Sequence, residues 1–315
     1  MGETRLLAEL VAGAGGQGGL AVGTGDDAAV WEVGGRALAI TTDSLVEGVD
    51  FRQSFQTPRE VGLKAWGAAA SDLAAMGFRA DLGVACLICS ADTFEGTVLD
   101  VQAGLVEGAR RDGAVLAGGD VSATDGPLTI AVTVVGSGSP GTAVRLAGAR
   151  PQDLVVVTGR LGGAAAALLT FERGHLPPDH WRQRLAVPRP RLAEGQRLLA
   201  AGAHAMTDIS DGLLVDSARL AQASSCRLEL WADRIPLEDD LDGLFPGRGL
   251  ELAAGGGEDY ELLACLPQAA LDSLAREVAG GALTVIGQVT SGEGIQLLDH
   301  PGGSELSLGG GFRHF

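Results

Sequence analysis

Asparagine is absent from this chain of 315 residues, tyrosine occurs once at Tyr260, and lysine occurs once at Lys64. The scarcity of lysine excludes two large groups of nucleotide-binding proteins. A Walker A loop ends in Gly-Lys-Ser/Thr, which occurs nowhere here. The protein-kinase set of a glycine-rich loop, a strand lysine and His-Arg-Asp is missing as well. Cysteine is sparse: residues 86, 89, 226 and 265 offer no disulfide framework. Cys86 and Cys89 lie in a strand-like run, where residues three apart point to opposite faces, so they read as structural thiols and not as a zinc or redox pair. The histidines, at 175, 180, 204, 300 and 314, have no zinc spacing. No apolar run approaches the ~20 residues of a membrane span, and Met1-Gly2-Glu3-Thr4-Arg5 lacks the basic and apolar regions of a signal peptide. A cytoplasmic protein without a membrane partner is the expectation.

Basic residues are also few, 23 against 40 Asp and Glu, for a formal net charge of -17. Binding to a nucleic-acid backbone rests on clustered Lys and Arg, so no nucleic-acid partner is expected. A protein this acidic that binds a phosphate compound needs cations other than its own, and Mg²⁺ meets that need. Most of the surface acids serve solubility. The Asp residues flanked by Gly, Ser and Thr form a separate set.

That set comprises Gly25-Asp26-Asp27, Thr41-Thr42-Asp43-Ser44, Ser71-Asp72, Gly118-Gly119-Asp120 and Thr207-Asp208-Ile209-Ser210-Asp211-Gly212. Carboxylates beside hydroxyls and glycines are the oxygen-only donors that Mg²⁺ prefers, completed by water and phosphate. Strands over 28–33 and 37–42, joined by Gly34-Gly35, would bring Asp27 and Asp43 to the same sheet end, Thr41 to Ser44 lying at a strand exit. A helix over 58–76, with proline in its first turn, carries Asp72 near its C-terminal end. Gly118-Gly119-Asp120 ends the apolar run from Ala114. Ser210 or Asp211 would cap a helix over 212–223, and such a helix start also attracts phosphate.

Further elements are a helix over 3–12, a glycine-rich linker over 13–25, strands over 82–90 and 128–136 and a helix over 95–111. A stretch rich in Gly, Pro, Ser and Arg over 137–152 marks a boundary between domains at 1–140 and 141–315. Beyond it come a strand over 154–158, helices over 161–172 and 189–201, strands over 227–231 and 260–266, a helix over 268–278, and strands over 283–289 and 295–298. The irregular alternation favours α+β halves over a doubly wound sheet. Gly255-Gly256-Gly257-Glu258-Asp259-Tyr260-Glu261 places a flexible loop before a run of acids.

Together the motifs resemble the thiamine-monophosphate kinases, within the superfamily that includes aminoimidazole ribonucleotide synthetase and selenophosphate synthetase. The match runs from Gly25 to the C-terminus. It includes Ser71-Asp72-Leu73-Ala74-Ala75-Met76-Gly77, Gly257-Glu258-Asp259-Tyr260-Glu261-Leu262 and the terminal Gly311-Phe312-Arg313-His314-Phe315. Selenide activation would require a reactive Cys in the linker over 13–25, which has none.

The resemblance implies a two-domain fold of mixed sheets packed with helices, and transfer of the γ-phosphoryl group of ATP to thiamine monophosphate. It implies several Mg²⁺ ions on Asp27, Thr41, Thr42, Asp43, Asp72, Asp120, Asp208 and Asp211, with Asp43, Asp72, Asp120 and Asp211 central to catalysis. Gly119, Asp120, Arg145 and Ser210 would contact ATP, and Asp50, Glu258 and Phe312 the acceptor. A homodimer through the N-terminal sheets is implied too. Two positions depart from the family pattern: Ala69 stands where Asn is frequent, in a chain without Asn, and Asp50 where His is common.

Overall fold

The computed structural model describes residues 20–277 and 283–308; the helix expected over 3–12 and Phe312 lie outside them. The first sheet contains β1 (Leu20–Val22), β2 (Ala29–Val33), β3 (Arg36–Val46), β4 (Arg79–Cys89), β5 (Val115–Ala123) and β6 (Thr129–Gly138). Their order is β1-β2-β3-β6-β4-β5, and only β4 and β5 run parallel. One face is covered by α1 (Pro58–Ala75) and α2 (Glu95–Arg111), which bury Ala39, Leu45, Leu87, Ile130 and Val132 against Trp66, Leu73 and Leu105. The other face keeps apolar side chains in solvent: Trp31, Ile40, Leu82 and Val84 are each about two-fifths exposed.

The second sheet contains β7 (Leu154–Thr158), β8 (Ala205–Asp208), β9 (Arg227–Trp231), β10 (Leu262–Leu266), β11 (Leu283–Thr290) and β12 (Gly294–Leu298), in the order β12-β9-β11-β7-β10-β8. Only β12 and β9 are parallel neighbours. Among the described residues the remaining α-helices are α3 (Gly163–Glu172), α4 (Asp179–Ala186), α5 (Leu192–Ala201), α6 (Leu213–Ser224), α7 (Leu241–Leu244), α8 (Gly249–Gly255) and α9 (Gln268–Glu277). Both faces of this sheet are covered. Val155 and Val157 pack toward Leu213 and Leu220 of α6, while Val156 packs toward Leu198 of α5 and Ala74 of α1. The continuous apolar run of β7 follows from that double burial. The mixed-sheet α+β architecture is the one expected from the sequence.

Helix α1 touches both sheets. Thr57 caps it in a reciprocal box with Glu60, worth about 1 kcal/mol, and Pro58 occupies its first turn. Gly77, at φ +80°, reverses the chain at its end. Between these points it is buried nearly all round, with small residues at the contacts. A Cβ at Gly62 would lie 2.1 Å from the Val101 carbonyl oxygen, and one at Gly104 of α2 2.0 Å from that of Arg59. The two helices therefore meet backbone to backbone.

Several boundaries differ from the expectation. Strand β3 continues through Asp43, which pairs with Val132 of β6, so Thr41 to Ser44 sit within a strand and not at its exit. Gly118-Gly119-Asp120 likewise lies inside β5, which pairs with β4 as far as Ala123. Part of the expected linker, Leu20–Val22, pairs with β2 as β1. Strand β10 begins at Leu262, because Tyr260 is held at φ +49°. The short helices α4, α7 and α8 fall in Pro- and Gly-rich sequence that lacks a long apolar period.

Gly104→Ala tests the helix crossing. Alanine's better helix propensity would stabilise by roughly 1 kcal/mol, but a Cβ against a backbone carbonyl cannot be relieved by a rotamer change, and overpacking costs about 1–3 kcal/mol or more. Urea denaturation should show net destabilisation; a more stable variant would show that the helices do not approach this closely.

Candidate active site

The acidic residues come together at the junction of β2, β3, α1 and β8. Asp27 precedes β2, Asp43 lies on the α1-facing side of β3, Asp72 sits near the end of α1, and Asp208 ends β8. Hydroxyls hold three of these carboxylates. Thr41 Oγ1 donates to Asp72 at 2.5 Å, Ser71 Oγ to Asp208 at 2.6 Å, and Thr207 Oγ1 to Asp27 at 3.2 Å. The second oxygen of Asp27 is buried without a hydrogen-bond partner.

Burial, foremost, raises the proton affinity of these acids, and mutual repulsion adds to it. Asp27 and Asp72 are held well above the usual carboxylate range, with the charge of Asp208 the next cause for both. Asp208 is pushed up to about 6 by burial and by Asp43 and Asp211, against the hydrogen bond from Ser71. Arg219 of α6 opposes the repulsion, at 3.9 Å from Asp211 and 3.4 Å from Asp216.

Asp216 is a residue the motif reading missed. Its Oδ2 accepts from the backbone N–H groups of Ser210, Asp211 and Gly212, each at 3.1 Å, so this carboxylate shapes the 208–212 loop from inside α6. It replaces the expected cap: neither Ser210 nor Asp211 caps α6, whose N-cap is Gly212 at φ +116°. An Asp in the first turn of a helix, four residues after a glycine, is the signal available in the sequence. Burial, then Asp208 and Asp211, raise it to about 7.

Not every expected ligand joins this centre. In register, Asp120 neighbours Cys86, on the face of the first sheet turned away from α1, and accepts a hydrogen bond from Ser122. Thr42 lies on that same outer face, its hydroxyl donating to the Val132 carbonyl and accepting from Thr133. Gly119 meets Ala85 so closely that a Cβ would lie 1.8 Å from the Ala85 carbonyl oxygen. Arg145 donates to the Ala21 carbonyl at 3.0 Å, and the next amide, of Leu146, donates to Asp26.

A cleft of about 460 Å³ adjoins the acids, lined by Asp50, Phe55, Leu168, Ser210, Leu252 and Glu258 among others. The 208–212 loop is a wall common to both: Asp208 belongs to the acidic centre and Ser210 to the cleft. Tyr260 lies between them, its hydroxyl held well above its usual range by burial and then by Glu258, Asp43, Asp208 and Asp50. The acids of the 258–261 run separate. Glu258 faces the cleft, Asp259 accepts from the Gly162 amide at the start of α3, and Glu261 is buried against Thr158, Arg184 and Arg191.

Among the described residues no three His, Cys, Asp or Glu side chains close around a point as a finished metal cage. The donor chemistry nevertheless fits hard divalent cations: the groups are carboxylates and hydroxyls, and a buried Asp27 oxygen lacks a proton donor. Asp27, Asp43, Asp72, Asp208 and Asp211 are the residues able to hold them. Site positions of this kind, open until phosphate oxygens complete the coordination, are usual for Mg²⁺.

Comparison with known proteins places the chain in a family. Residues 25–137 match the AIR synthase related protein N-terminal domain, and residues 150–300 the corresponding C-terminal domain. A thiamine-monophosphate kinase of Halobacterium salinarum is 39% identical over 89% of this chain and 92% of its own length. One from Mycobacterium tuberculosis is 34% identical over 84% of this chain and 80% of its own. The solved structure of AaThiL complexed with AMPPCP and TMP superposes with a TM-score of 0.87, at 30% identity, covering 100% of this chain and 97% of that one.

Asp208 and Asp216 hold their protons more tightly folded than unfolded. Their stabilising contribution is complete below the ordinary carboxylate value near 4 and is lost as pH rises through about 6 and about 7. Without divalent ions, the midpoint of thermal unfolding should fall between about pH 5 and about pH 8, and Mg²⁺ should raise it more at the higher pH. Calorimetry showing an equal Mg²⁺ effect at both would contradict the siting of the cation among these acids.

Proposed function

The chain belongs to the AIR synthase related family, in its thiamine-monophosphate kinase branch, and on that premise we propose that it transfers the γ-phosphoryl group of ATP to thiamine monophosphate, giving thiamine diphosphate and ADP. The observation that carries the reading is the 208–212 loop, one side of which borders the buried acids and the other the cleft. A nucleotide neutralised on the first side meets an acceptor held on the second. AMPPCP and TMP, bound together in the related structure, are an ATP analogue and the acceptor of this same reaction.

The chemistry asks little of a general base. The second ionisation of a phosphate monoester lies near ~6, so the attacking oxygen is already anionic at neutral pH. That oxygen bonds to the γ-phosphorus as the bond to the β-bridging oxygen breaks, and ADP departs without a phosphoenzyme. The protein's task is alignment and charge neutralisation. Asp27, Thr41, Thr42, Asp43, Asp72, Asp120, Asp208 and Asp211 would hold Mg²⁺ in this reading, with Asp43, Asp72 and Asp211 in the buried centre and Asp120 on the outer face of the sheet. Mg²⁺ supplies the positive charge that lets two polyanions approach. Thr42 and Asp120 lie on the opposite face of the sheet from Asp72, an arrangement that supports a reading with more than one ion.

Gly119, Asp120, Arg145 and Ser210 contact ATP, the last from the cleft wall. Asp50, Glu258 and Phe312 serve the acceptor, whose rings suit the apolar side of the cleft formed by Phe55, Leu168 and Leu252. On this division residues 1–140 form the ATP- and Mg²⁺-binding part and residues 141–315 complete the site. The apolar outer face of the first sheet, with Trp31, Ile40 and Val84, supports a homodimer in which a second copy covers it. The free cysteines suit the cytoplasm.

Purified protein with ATP, Mg²⁺ and thiamine monophosphate should form thiamine diphosphate, and ATP chirally labelled at the γ-phosphorus should give inversion; absence of product, or retention through a trapped phosphoenzyme, would refute the scheme. Asp43→Asn should lower kcat on the order of 100-fold or more while leaving thermal stability near normal. Trp31→Glu should convert a dimer to a monomer in sedimentation, and an unchanged sedimentation coefficient would move the interface elsewhere.

A further inference from the structure

The only lysine of the chain is fully buried in α1. Its ammonium group donates to the Asp50 carbonyl oxygen at 2.6 Å and pairs with the Glu258 carboxylate at 2.5 Å. Asp50 and Glu258 line the cleft from opposite ends of the chain, while Lys64 stands behind them and does not reach it. The two residues are fixed in other ways too. The Asp50 carboxylate closes its own turn, accepting from the Val46 amide at 2.8 Å. Glu258 donates its backbone N–H to the Ser210 carbonyl and is held at φ +68°, in the left-handed region that a residue with a Cβ rarely adopts.

A buried ammonium is costly to desolvate, and an apolar side chain of similar length would avoid that cost. Its position offers a functional reason for keeping it. The acceptor of the proposed reaction carries a phosphate as well as a cationic ring, and an unpaired carboxylate in the cleft would repel the phosphate. Paired with Lys64, Glu258 presents a neutralised, oriented oxygen to the acceptor. We propose that Lys64 is a positioning residue for the acceptor, bridging the Asp50 turn and Glu258 so that the two walls of the cleft keep a fixed separation and Glu258 a fixed aim. The inference rests on reading this cleft as the acceptor site, and it assigns Lys64 no contact with substrate.

Steady-state kinetics on the full chain test it. Lys64→Met should raise KM for thiamine monophosphate about tenfold or more, the effect of losing a charged hydrogen bond, and leave KM for ATP within about twofold. In a Glu258→Gln background the same change should add much less, because Lys64 acts through Glu258. Should Lys64→Met fail to fold, Lys64→Gln, which keeps a donor for the Asp50 carbonyl but removes the charge paired with Glu258, must show the same selective rise in acceptor KM. Equal effects on both substrates, or a folded Lys64→Met with unaltered acceptor KM, would overturn the proposal and reduce Lys64 to a packing role. Lack of turnover by the unsubstituted protein would instead refute the assigned reaction, and the role of Lys64 with it.

Discussion

Everything in this molecule hangs on the burial of one helix between two sheets. Residues 58–75 pack against the first sheet through Trp66, Ala69 and Leu73 and against the second through Ala74 and Ala75. A helix buried on all sides is normally apolar all round. This one carries Lys64, Ser71 and Asp72, and each binds a group from a distant segment: Glu258, Asp208 and Thr41 respectively. The small residues that let the backbones approach also bring those three contacts within reach. A bulkier helix would widen the gap between the halves and separate the acids.

The acidic centre is unfavourable on its own terms. Burial first raises the proton affinity of Asp27, Asp72 and Asp208; the charge of Asp208 then adds to that of Asp27 and Asp72, Asp43 and Asp211 add to that of Asp208, and the Arg219 guanidinium opposes the rise at Asp27 and Asp208. Such repulsion is a store of binding energy for cations, because every positive charge admitted relieves several contacts at once. In the proposed reaction, the positive charge that other phosphotransferases build into side chains would be recruited with the nucleotide.

Much of the fold was legible along the chain. The 154–158 strand, the 95–111 helix and the hairpin turn at Gly34-Gly35 occupy the expected positions, since each is announced by local periodicity or turn chemistry. The misreadings have a common cause. Asp43 and Gly118-Gly119-Asp120 look like strand ends because Asp and Gly are poor strand formers, yet pairing with β6 and with β4 carries the strands through them. Ser210 and Asp211 have the residue types of a helix cap, but a carboxylate one turn into the helix, Asp216, already occupies the loop amides.

By itself the sequence determined the chemical type of the site: oxygen donors grouped with glycines, too few cations for polyanions, and a motif order shared with the thiamine-monophosphate kinases. Those properties reside in residue identity and short spacing, which need no third dimension. Which acids meet was decided only by the tertiary structure, because sheet register sends Thr41 and Asp43 to one face and Thr42 and Asp120 to the other. The same holds for Lys64. Its scarcity is visible in the composition, but its partners, one 14 residues away and one 194 residues away, are joined to it only when the two halves close on α1.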